Sequence, residues 1–129
     1  MTDFAKALTA FWSSFDMPAY QAEQVPNGTA FPYVTFEVLQ GAPFSQNVLT
    51  ARAWFRAERG QSVNAQVAQF LDNVKKAIPP QGVTLQSGDG FFSIFPNGAG
   101  FLSWEVDPAS DEAQKIISGR VSYQINYYL

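Results

Sequence analysis

Two long runs of strict alternation constrain this 129-residue chain more than any other feature. From Val48 to Glu58, Leu49, Ala51, Ala53, Phe55 and Ala57 share one side, while Thr50, Arg52, Trp54, Arg56 and Glu58 share the other. From Arg120 to Leu129, Val121, Tyr123, Ile125, Tyr127 and Leu129 alternate in the same way with Arg120, Ser122, Gln124, Asn126 and Tyr128. A period of two belongs to strands, because successive side chains leave opposite faces of a pleated sheet. Tyr33 to Leu39 repeats the pattern, with Val34, Phe36 and Val38 opposed to Tyr33, Thr35 and Glu37. Strands are therefore expected at about 33–39, 48–58 and 119–128, each with one face to be covered.

Two stretches have the period of the covering layer. Phe4, Leu8, Phe11, Trp12 and Phe15 form a helical stripe that Thr2 or Asp3 can cap and Pro18 ends, predicting a helix at about 3–15. Val63, Val67, Phe70, Leu71, Val74 and Ile78 form a second, predicting a helix at about 62–78 that Ser62 caps and Pro79-Pro80 stops. Residues 18–32, rich in proline and glycine, read as a loop. In the last third, strands are expected at about 83–87, 91–95 and 101–106, and both intervening Gly-rich segments, Gly88-Asp89-Gly90 and Pro96 to Gly100, read as hairpin turns.

The order α-β-β-α-β-β-β predicts a single α+β domain over residues 1–129: a mostly antiparallel sheet of four to six strands with both helices on one face. The other face is then left with Tyr33, Glu37, Arg52, Trp54, Arg56, Glu58 and Tyr128 among short polar residues. These are interface candidates, because twenty aromatic side chains against nineteen charged ones is a high proportion for a domain with a solvated second face. Asp107, Asp111 and Glu112, in a polar stretch from Asp107 to Gln114, complete the candidates; order there is expected only on assembly.

Catalytic chemistry is hard to build from this composition. With no cysteine or histidine, thiol nucleophiles, Cys/His zinc sites and Ser-His-Asp triads are excluded. No Gly-rich turn is followed by the Lys and hydroxyl residue of a phosphate loop. The acidic cluster at 107–112 lacks the spacing of a calcium loop. No catalytic residue, cofactor or metal ligand is assigned. Arg52 and Arg56, flanking Trp54, fit either an anionic partner or cross-strand pairing with Glu37 or Glu58. The net charge of −3 and the scattered basic residues argue against general nucleic-acid binding. No window suits a membrane span, and the start lacks a signal pattern, so synthesis in the cytoplasm is expected.

The strand Phe31-Pro32-Tyr33-Val34-Thr35-Phe36-Glu37, the preceding Pro/Gly loop, the following strand and helix, and the closing Gly119-Arg120-Val121-Ser122-Tyr123-Gln124-Ile125-Asn126-Tyr127-Tyr128 together resemble the tail-terminator (tail-completion, minor capsid) proteins of long-tailed bacteriophages. The resemblance implies a non-enzymatic virion protein. Such proteins form a ring, commonly a hexamer, that caps the tail tube, ends its polymerisation and supplies the head-attachment surface. Its partners would be copies of itself, the tube protein and the head-tail connector, with DNA passing through a neutral or acidic lumen without specific binding. Another neck-completion protein, a small-molecule or peptide-binding domain using the sheet face as a pocket wall, and a carboxylate-dependent hydrolase are the alternatives.

Overall fold

In the computed structural model, the structure describes residues 3–38, 46–57, 63–88, 90–106 and 115–128. The elements are α1 (Asp3–Ser13), β1 (Ala19–Gln21), β2 (Tyr33–Phe36), β3 (Gln46–Arg56), α2 (Val63–Ala77), β4 (Val83–Ser87), β5 (Gly90–Pro96), a 3-10 turn (Gly98–Gly100), β6 (Leu102–Val106) and β7 (Ile116–Tyr128). The class is α+β with a mostly antiparallel sheet, as expected, but among the described residues the sheet has seven strands, more than the four to six anticipated, and β1 joins it parallel. Its order is β1-β2-β3-β7-β5-β4, with β6 also on β7.

The two longest alternating runs form the centre. β3 and β7 pair antiparallel from Gln46↔Asn126 to Arg56↔Ile116. This register places Leu49, Ala51, Ala53 and Phe55 beside Tyr123, Val121, Gly119 and Ile117, on one buried face. The helices fill that face. From α2, Val67, Phe70 and Leu71 lie over Gly119, where a Cβ would come within 3.2–3.3 Å of all three side chains. From α1, Phe4 stacks edge-on against Phe92, at 5.0 Å between ring centroids, and Trp12 lies 5.4 Å from Tyr123.

α1 also touches both β1 and β4, the two ends of the strand order. The sheet therefore curls around α1. The helix stops at Ser13, two residues short of expectation. Ser14 N–H donates to the Phe11 carbonyl, three residues back rather than four, and Asp16 takes a left-handed φ of 64° that ends helical continuation. Phe15 still reaches the core, 5.7 Å from Phe70.

Four further expectations are corrected. The 18–32 segment is not all loop: β1 within it pairs parallel to β2, Ala19↔Val34 through Gln21↔Phe36. β2 itself ends at Phe36, and β7 begins at Ile116, three residues before the alternation suggested. The Gly88–Gly90 segment does join an antiparallel pair, β4 and β5. Pro96 to Gly100 does not. β5 and β6 run in the same direction and both pair with β7, Pro96 opposite Tyr123 and Leu102 opposite Val121.

Residues 97–101 thus bulge out opposite Ser122 alone. Ser122 holds both ends, its carbonyl accepting from Asn97 N–H and its own N–H donating to the Phe101 carbonyl, while Asn97 Nδ2 donates to Ser122 Oγ at 2.9 Å. An excursion of this kind satisfies the ladder at both margins and lets one long strand support two shorter ones.

Candidate functional site

The strand pleat carries the alternate residues to the side away from the helices. There, register sets Tyr33 beside Trp54 and Ser118, then Thr35 beside Arg52 and Arg120. β6 extends the rows with Glu105 opposite Ser118 and Ser103 opposite Arg120. Glu37 N–H donates to the Thr50 carbonyl, and Thr50 N–H donates to Glu37 Oε1 at 2.7 Å. These neighbours lie up to 85 residues apart in sequence.

A depression of about 510 Å³ lies over these rows. Its floor is Tyr33, Thr35, Thr50, Arg52, Trp54 and Arg120, and a wall is formed by Ala22, Glu23 and Val25 with Glu37 alongside. The wall has a local cause. After β1, Ala22 N–H still donates to the Phe36 carbonyl, and Gln24 N–H then closes a turn on the Gln21 carbonyl. Glu23, the third residue of that turn, adopts φ 70°, a conformation that glycine takes with less strain.

The charges in the depression are unequally matched. Arg52 donates from Nη1 to Glu105 Oε2 and lies 3.4 Å from Ser118 Oγ, with its guanidinium 5.9 Å from the Trp54 ring centre. That hydrogen bond holds the Glu105 carboxyl below the usual glutamate range, with the Arg52 and Arg120 charges acting in the same direction against partial burial. Trp54 is fixed from the other side, its Nε1 donating to Thr35 Oγ1 at 2.9 Å. Tyr33 is partly buried, and desolvation raises its phenol pKa, which keeps the hydroxyl neutral.

Arg120 differs from Arg52. Its Nε is fully buried with no hydrogen-bond partner, and its guanidinium forms no ion pair among the described residues.

Of the candidates named from the sequence, Tyr33, Glu37, Arg52 and Trp54 come together in this depression. Arg56 stands apart, its guanidinium 4.8 Å from the Phe31 ring centre. Of the two readings of these arginines, cross-strand pairing with Glu37 is not formed among the described residues, and Glu105 on β6 takes Arg52 instead. Glu58, Asp107, Asp111 and Glu112 lie outside the described residues, and Tyr128 is placed only by backbone register, opposite Phe91. Arg120, Glu105 and the 22–25 wall were missed as site residues. Alternation had placed Arg120 on the polar face, but its neighbour Glu105 depends on which strand β6 joins.

Two sets of exposed apolar residues lie on opposite faces of the sheet. On β6, Trp104 and Val106 are 47% and 52% exposed and share the register of Gly119 and Ile117, the helix side. On the other face, Val48 and Phe91 are 55% and 44% exposed at the far end of the rows that contain Gln124 and Tyr128. Among the described residues no set of three carboxylates converges as a metal site, and no helix is long and apolar enough to cross a membrane.

No protein-family model matches the chain, and no curated protein is similar to it in sequence. A solved structure, of a protein whose function is not described, superposes with a TM-score of 0.52 at 15% identity, covering 98% of this chain and 93% of the other. At that identity the similarity bears on the fold alone: this chain shares its α+β arrangement with that structure.

Proposed function

We propose that the protein is a structural assembly component of the tail-terminator type, which caps a phage tail tube as a ring, ends tail polymerisation and offers the surface to which the head attaches. The observation that carries this reading is the pair of apolar sets on opposite sides of one sheet, Trp104 with Val106 and Val48 with Phe91. A head-to-tail contact needs two different surfaces on each subunit, the first meeting the second on the next copy, and rotation that closes yields a ring. An isologous dimer would need only one. Large apolar side chains left in water on two faces suit a subunit whose neighbours cover both.

The partners in this reading are further copies of the chain, with a hexamer the expected ring, the tube protein below and the connector above. DNA passes through the lumen and is not read. The sequence resemblance in the Tyr33–Glu37 strand and the closing Tyr-rich strand supports the same assignment. Purified protein added to isolated tail tubes is expected to bind one end and limit tube length, as seen by electron microscopy. Binding to heads and never to tubes would instead favour another neck component; binding to neither particle would remove the assembly reading.

A further inference from the structure

We propose that the depression on the helix-free face is a ligand site for a monocarboxylate with an apolar or aromatic body, the carboxylate received by Arg120 and the body by Trp54 and Tyr33. The inference does not depend on the assembly reading and adds a binding activity to it.

Arg120 and Arg52 are direct cross-strand partners, an arrangement in which like charges repel. Among the described residues, Glu105 is engaged by Arg52 and Glu37 by the Thr50 N–H, and neither carboxylate forms an ion pair with Arg120. Arg120 is left with its Nε removed from water and, among the described residues, without an acceptor, a costly state for a guanidinium, whose planar donors match a carboxylate in a two-point contact. A bound carboxylate, meeting the Arg120 side chain where it lines the depression, would offset the repulsion between the two arginines. The adjoining surface is suited to the rest of such a molecule: the Trp54 ring is locked by Thr35 and Arg52, and the Tyr33 hydroxyl stays neutral. A volume of about 510 Å³ is in the range of small-molecule sites.

The same lining sets the charge of the ligand. Glu37 and Glu23 border the depression, and neither forms an ion pair among the described residues. A second negative charge on the ligand would face them, so a dicarboxylate or a phosphate dianion is disfavoured. The strained turn at Glu23 is a further mark of a constrained wall, since non-glycine residues held at positive φ concentrate at binding sites.

Benzoate serves as the probe, titrated at constant ionic strength into nitrogen-15-labelled protein while the Arg120 Nε–H and Trp54 indole N–H resonances are followed. Both are expected to shift saturably, and benzamide, inorganic phosphate and phthalate to bind at least about tenfold more weakly. Arg120→Met is expected to weaken benzoate by about tenfold or more, with Arg120→Lys retaining part of the affinity. No saturable shift with benzoate, equal binding of benzamide, or tighter binding of phosphate would each overturn the assignment. This ligand series uses the native protein, so it decides the matter even where a variant fails to fold. Failure to cap tail tubes would leave the result untouched.

Discussion

A Cβ placed on Gly119 would sit 3.3 Å from Val67 Cγ1, so the first part of β7 and the middle of α2 approach as closely as a missing side chain permits. Phe70 and Leu71 stand at 3.2 Å from the same point, and all three are buried, which leaves none of them room to withdraw. Gly119→Ala is therefore expected to lower stability by about 1–2 kcal/mol, with overpacking outweighing the smaller gain from a less flexible unfolded chain. Urea unfolding would record this as a lower midpoint at unchanged slope. A midpoint equal to or above that of the native protein would mean that α2 can lift without loss.

Tyr123 sits at the contact between α1 and the sheet, with no exposed surface. Burial pushes its phenol well above the usual tyrosine value; the Trp12 indole N–H, close to the hydroxyl but outside hydrogen-bonding geometry, acts against this, and Glu37 and Tyr127 add smaller upward contributions. With the folded pKa above the unfolded one, the stability contribution is complete below about pH 10 and is lost as pH rises from there, by up to about 1.4 kcal/mol per pH unit. Its hydroxyl has no hydrogen-bond partner among the described residues. Tyr123→Phe is thus expected to leave stability at pH 7 within about 1 kcal/mol of the native value and to flatten the fall above pH 10, measured by thermal unfolding at both pH values.

Arg52 and Glu105 give the opposite sign. The Glu105 carboxyl is held low chiefly by the Arg52 hydrogen bond, so its contribution is present above the ordinary glutamate pKa of about 4.3 and is lost as pH falls through the depressed folded value. Its side chain is 44% exposed, and solvent screening keeps the whole effect under about 1 kcal/mol. Carboxyl carbon shifts followed through an acid titration should show Glu105 titrating below the usual glutamate range, and Arg52→Met should return it toward that range. An unmoved midpoint in the variant would show that Arg52 is not the cause.

The parts of this fold that follow from periodicity were readable because their spacing is local. Six apolar positions ended by Pro79-Pro80 define α2, and the alternations around Phe55 and Tyr123 define β3 and β7 whatever else surrounds them. The Pro96–Gly100 segment is different: proline, asparagine and glycine serve a hairpin and a wide bulge equally well. The choice is made by β7, whose thirteen residues are long enough to accept β5 and β6 end to end. β1 has three residues, too few to display a period. For the site, alternation placed Tyr33, Arg52 and Trp54 on one face, but the unmatched state of Arg120 among the described residues depends on β6 bringing Glu105 to Arg52, which no spacing encodes.

The two apolar sets make a prediction specific to head-to-tail assembly. Trp104→Glu destroys the surface on β6 and leaves Val48 and Phe91 intact; Val48→Asp does the reverse. Both positions are about half exposed, so neither change is expected to alter stability by more than about 0.5 kcal/mol. At concentrations where the native protein forms rings, each variant alone should remain monomeric, because every possible contact includes one damaged surface. Mixed in equal amounts, the two retain one intact combination, the β6 surface of the Val48→Asp chain with the opposite face of the Trp104→Glu chain. Light scattering after size-exclusion chromatography should then find a heterodimer and nothing larger. Under an isologous arrangement a variant damaged outside the shared surface would keep dimerising alone, so self-association of either single variant at native strength would contradict the head-to-tail contact.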